Sequence, residues 1–93
     1  MKESQLERKL VHSVARAGGL ALKFTSPGMA GVPDRLILLP QGRIAFAELK
    51  APGKKPRPLQ LHRHARLRAL GFKVYVIDHP DQIQEVLHDL RSP

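Results

Sequence analysis

The sequence predicts an α/β fold, a mixed β-sheet flanked by helices, with elements in the order α-β-β-β-α-β-α. Three observations carry that expectation. ESQLERKLVHSVARA (3–17) repeats apolar residues at helical spacing. DRLILL (34–39) and RIAFAELK (43–50) flank the turn PQG and read as a β-hairpin. KVYVID (73–78), rich in β-branched residues, stands between two helical segments and reads as a buried strand.

Each element has a local reason. The first helix carries an apolar arc of Leu6, Leu10, Val11, Val14 and Ala15, and Gly18-Gly19 ends it. LALKF (20–24) is a short strand. TSPGMAGVP (25–33) holds two prolines and two glycines and is a loop. Those glycines lack the Walker spacing and its Lys-Ser/Thr ending, which excludes a P-loop. After the hairpin comes the loop APGKKPRP (51–58), then a helix over 59–70 closed by Gly71. A last helix covers 80–91, with Pro80 suited to its first turn and Asp81 to its positive end.

The totals bound the function. With 93 residues the chain is expected to form one domain, 1–93. A chain of this size buries only about 60–65% of its unfolded surface, so a homodimer interface would help it. The absence of cysteine excludes disulfides, thiolate zinc sites and thiol nucleophiles, and fits a reducing cytoplasm. No apolar run approaches the ~20 residues that span a bilayer, and the N-terminus is polar.

Sixteen Lys and Arg oppose eight Asp and Glu, a net charge of +8, which points to a phosphate-rich partner. The excess is concentrated: between Glu48 and Asp78 there is no acid, while Lys50, Lys54, Lys55, Arg57, Arg63, Arg66, Arg68 and Lys73 all fall there. No helix pairs a basic face with a broad apolar face rich in Trp or Phe, which argues against a membrane surface. The four aromatics Phe24, Phe46, Phe72 and Tyr75 are too few for a base-stacking platform, so the expected contact is with duplex DNA backbone.

Within this frame the acids stand out. Strand alternation puts Ile44, Phe46, Glu48 and Lys50 on one face, and the hairpin can bring Asp34 close to Glu48. Two carboxylates at one sheet edge repel each other unless a cation sits between them, and hard divalent ions take oxygen ligands. Lys50 adds a point charge suited to a phosphate oxygen or an attacking water. At 100° per residue Glu7 falls in the middle of the arc of Leu6, Leu10, Val11 and Val14, where a charge needs a partner or a metal. Gln60, His64, Leu67 and Gly71 share a stripe that would bring an amide near Glu48. His62 and His64, two residues apart on a helix, point apart and do not form a metal pair.

GVPDR (31–35), AELK (47–50), the Pro/Lys loop and LQLHRHARLRALG (59–71) together resemble the VRR-NUC branch of the PD-(D/E)XK nucleases, in particular its stand-alone, phage-type members. The resemblance implies a restriction-endonuclease-like core and an Mg²⁺- or Mn²⁺-dependent endonuclease. It implies Asp34, Glu48 and the main-chain oxygen of Leu49 as metal ligands, with Glu7 completing the site directly or through water. Lys50 would orient or activate water, and Gln60 matches the family's helix glutamine. Lys54, Lys55, Arg57, Arg63, Arg66 and Arg68 would hold DNA. Small members of this branch are homodimers acting on branched DNA such as Holliday junctions, and a cytoplasmic location in a bacterial or phage-infected cell follows. Arg63 departs from the aromatic or large apolar residue usual near that position. The competing reading is a non-catalytic basic nucleic-acid-binding module on the same fold; it explains the charge but not the acids.

Overall fold

A computed structural model describes all 93 residues. It contains α1 (Glu3–Arg16), β1 (Leu20–Lys23), β2 (Arg35–Leu39), a short 3₁₀ turn (Pro40–Gly42), β3 (Arg43–Leu49), α2 (Pro58–Ala69), β4 (Lys73–Ile77) and α3 (Asp81–Arg91). The order is the one the sequence predicts, and every boundary falls within one residue of expectation. α2 begins at Pro58, whose fixed φ suits the first turn of a helix.

The four strands form one sheet in the order β1-β2-β3-β4, antiparallel up to β3 and parallel between β3 and β4. The register gives each face its character. Leu20, Leu38 and Ile44 share one row, and Leu22, Leu36, Phe46 and Val74 the next on the same face. Continuing the β2–β3 register by one residue sets Asp34 opposite Glu48.

The opposite face is the core. Ile37, Leu39, Ala45, Ala47, Leu49 and Ile77 pack there against Leu6, Leu10 and Val14 of α1 and Ile83, Val86, Leu87 and Leu90 of α3. Each large side chain so buried contributes about 1.5–3 kcal/mol of transfer free energy. Alternation supplies the strand half of this core, and spacing of i, i+4, i+8 supplies α1's half.

The turn from α1 into β1 depends on Gly19. A β-carbon there would lie 2.1 Å from the carbonyl oxygen of Leu38, so only glycine lets the chain pass this close to β2. No helix is long and apolar enough to cross a membrane.

Candidate active site

α2 lies over the Glu48 end of the open sheet face, and this placement makes the site. Glu48 is 1% exposed, and the two buried polar residues of α2, Gln60 and His64, both face it. They sit four residues apart and therefore on one side of the helix.

Gln60 is fixed at both ends. Its Oε1 accepts the main-chain N–H of Arg57 at 2.8 Å, which satisfies a free donor at the start of α2. With the oxygen so engaged, its Nε2 faces Glu48 and donates to Oε2 at 3.1 Å. His64 Nε2 lies 3.4 Å from Glu48 Oε1, while its Nδ1 is buried with no partner. Lys50 Nζ lies 3.7 Å from Glu48 Oε2. Asp34 is held from the strand itself: its Oδ2 accepts the main-chain N–H of Leu49 at 2.9 Å, one residue past Glu48.

Burial first, and then the negative charge of Asp34, push the Glu48 carboxyl up to about 7, against a lowering by Lys50. His64 moves the other way: burial, and then the charge of Arg68, hold its imidazole below the usual histidine range. A neutral imidazole can donate to Glu48 from Nε2 when that nitrogen carries the proton.

The loop before Asp34 is shaped by its glycine. Gly31 has φ +83°, and a β-carbon there would meet Leu59 Cγ at 2.8 Å and Arg63 Cγ at 3.3 Å. Arg63 Nε also donates to the carbonyl of Ala30 at 2.8 Å. The loop is thus clamped onto α2, and the buried Pro33 leads from it into Asp34.

The sequence-predicted residues divide. Asp34, Glu48, Lys50 and Gln60 come together. Glu7 takes a different partner: it is not central on the buried stripe, which consists of Leu6, Leu10 and Val14. It sits on the shoulder, a quarter exposed, and pairs with Arg35 Nη2 at 3.0 Å. The acid of α1 whose charge reaches Glu48 is Glu3, one helical turn earlier. Glu3 lies in the first turn of α1, outside the apolar arc, and no spacing in the sequence ties it to Glu48. His64 stood on the Gln60 stripe in the sequence, but its contact with Glu48 needed the docked helix.

The basic residues also divide. Arg68 donates to the carbonyl of Val74 at 2.7 Å, and Arg63 is engaged at Ala30. Lys54, Lys55, Arg57 and Arg66 are exposed, and their charged groups have no protein partner.

No group of three or more His, Cys, Asp or Glu side chains is arranged to hold a metal ion. The carboxylate pair nonetheless suits a hard divalent cation, because Mg²⁺ is commonly held by one or two carboxylates and keeps several waters. A cation would also relieve the repulsion that raises Glu48.

No family model matches the chain. A protein of Acyrthosiphon pisum secondary endosymbiont phage 1, described as "Putative nuclease p44", is 56% identical over 81 residues, covering 87% of this chain and 87% of its own length. A solved structure of a VRR_NUC domain superposes with a TM-score of 0.86 at 33% identity, covering 92% of this chain and 94% of that one. With that sequence and that architecture, carrying an acid pair and a lysine at the end of the hairpin, the chain belongs to the VRR-NUC family of nucleases.

Proposed function

We infer that the protein is a divalent-metal-dependent endonuclease that hydrolyses DNA phosphodiester bonds, acts selectively on branched DNA such as four-way junctions, and works as a homodimer. The single observation that carries the metal-dependent reading is the Asp34–Glu48 pair, mutually repelling and with Glu48 buried, beside Lys50 on a chain of net charge +8. Such acids oppose a phosphate unless a cation accompanies it.

Asp34 and Glu48, with the main-chain oxygen of Leu49, would hold Mg²⁺ or Mn²⁺. The ion supplies Lewis acidity at the scissile phosphate and lowers the pKa of water. The remaining work belongs to the chain. Lys50 offers its ammonium to a non-bridging phosphate oxygen and to charge that develops there. Gln60 and His64 hold the Glu48 carboxylate in one orientation, and covering the site with α2 keeps water from diluting these charges. Lys54, Lys55, Arg57 and Arg66 supply backbone contacts, which position DNA without reading its sequence.

The test is a titration of Mg²⁺, Mn²⁺ and Ca²⁺ against nicking of junction, flap and linear DNA. Mg²⁺ and Mn²⁺ support cleavage, junctions are cut fastest, and Ca²⁺ supports binding alone. Undiminished cleavage in excess EDTA by nuclease-free protein rejects the metal requirement. Equal rates on all three DNAs reject the structural selectivity.

A further inference from the structure

The largest of the surface clefts, about 390 Å³, lies between α2 and the 25–32 loop, and the main-chain N–H of its lining residue Phe24 donates to the carbonyl of Asp34 at 2.8 Å. Its floor is apolar: Phe24, Met29, Leu67 and Leu70. Its rim is basic, with His62 and Arg66 among the lining residues, and no acid lines it. The floor is stiff at one side because the Phe24 ring rests on Phe46 with centroids 5.4 Å apart. The wall is stiff at the other because Gly31 packs on Leu59 and Arg63 is tied to Ala30.

We propose that this cleft is a slot for one unpaired nucleotide of the DNA substrate, with the base on the apolar floor and its phosphate at Arg66 and His62. The inference rests on the reading above that the substrate is DNA, and it adds a preference for branched or bulged DNA that carries an unpaired base, beyond junctions whose bases are all paired. Charge and polarity argue for this occupant. A nucleotide is a flat, largely apolar ring joined to an anion, and the cleft pairs an apolar floor with a cationic rim. A paired base cannot enter, because its faces are buried in the stack, whereas an unpaired base at a branch offers a free face at little cost. Position argues for it as well. The lining residue Val32 lies two residues before Asp34, and Arg63 three residues after Gln60, so a nucleotide held here leaves a neighbouring phosphate near Glu48.

The test uses the full chain carrying Glu48→Gln, in EDTA, so that no DNA is cut. Three labelled duplexes of equal length serve as probes: fully paired, with a one-nucleotide bulge of 2-aminopurine, and with the same bulge lacking its base. The bulge should bind about tenfold tighter than the paired duplex, the abasic bulge should lose that gain, and 2-aminopurine fluorescence should change on binding. Adding Met29→Gln and Leu70→Gln should abolish the preference and leave paired-duplex affinity unchanged. Both side chains are about half exposed, so the fold has little stake in them. Equal affinity for the two bulges, or a preference that survives the double substitution, overturns the slot while leaving the DNA reading intact. Loss of binding to every DNA overturns both. If sedimentation shows a dimer that the double substitution splits, the cleft is a subunit contact and the slot is rejected.

Discussion

On one face of the sheet, α1 and α3 cover Ile37, Ala45, Ala47, Leu49 and Ile77 completely. On the other, α2 covers the end that carries Glu48, while Leu22 and Ile44 remain 45% and 42% exposed. The strands are the same, so the difference arises from what is docked on them. The sealed face is apolar at its centre, with Arg35, Arg43 and Tyr75 at its margins, and supplies the cohesion of a small domain. The half-covered face carries the unfavourable features: a buried carboxylate, an acid neighbour, and apolar rows open to solvent. Stability drawn from one face lets the other hold an arrangement that is costly in itself.

Four substitutions and one change of pH can break or sharpen that contrast. The largest effect is expected on activity from the half-covered face. Glu48→Gln should eliminate cleavage, while the thermal midpoint measured without metal stays level or rises, since a neutral amide replaces a repelled carboxylate. Wild-type cleavage by folded Glu48→Gln protein would remove Glu48 from the chemistry.

The next largest effect is on stability, from the sealed face. Leu10→Ala should cost about 2–5 kcal/mol, because a fully buried leucine leaves both lost burial and a cavity. Ile44→Ala on the exposed row should cost less than about 1 kcal/mol by the same burial argument. Urea denaturation of the two variants measures both, and equal losses would mean that the open face is covered in solution.

A smaller effect appears in pH dependence. The Glu48 carboxyl is raised from 4.5 to about 7, so the folded state binds the extra proton and is favoured at low pH. Its contribution is fully present below pH 4.5 and is lost as pH rises to about 7. In EDTA, wild type should therefore lose stability over that window relative to Glu48→Gln. A constant difference between the two melting curves from pH 4.5 to 7 would show that Glu48 is not perturbed.

The smallest effect belongs to Glu7. Its pair with Arg35 is partly exposed, so Glu7→Gln should cost about 0.2–1 kcal/mol. Cleavage should fall less than in Glu48→Gln; an equal fall would place Glu7 in the site despite its partner.

Much of this was legible in the sequence because the signals are local. Period-two alternation places Glu48 and Lys50 on one face whatever packs above them, and Gly18-Gly19 and Gly71 punctuate helices by backbone geometry alone. Glu7 shows where that logic stops. Counting 100° per residue placed it within the apolar arc, but the centre of burial depends on how α1 is rotated against the sheet. That rotation is set by Leu6, Leu10 and Val14 meeting β-strand side chains distant in sequence.

By itself, then, the sequence determined the order of elements, the basic surplus, and the shared face of Ile44, Phe46 and Glu48, all products of near-neighbour geometry and composition. Tertiary structure alone decided that His64 closes over Glu48 with an unpartnered nitrogen and that Arg35 claims Glu7 across 28 positions of chain. Arg63 and Arg68 belong to the same class, since each is drawn from the basic surface to a backbone carbonyl. The physical reason is common to all of them. A side chain's partner is chosen by register and helix docking, which follow from burying the whole core at once rather than from any residue's own neighbours.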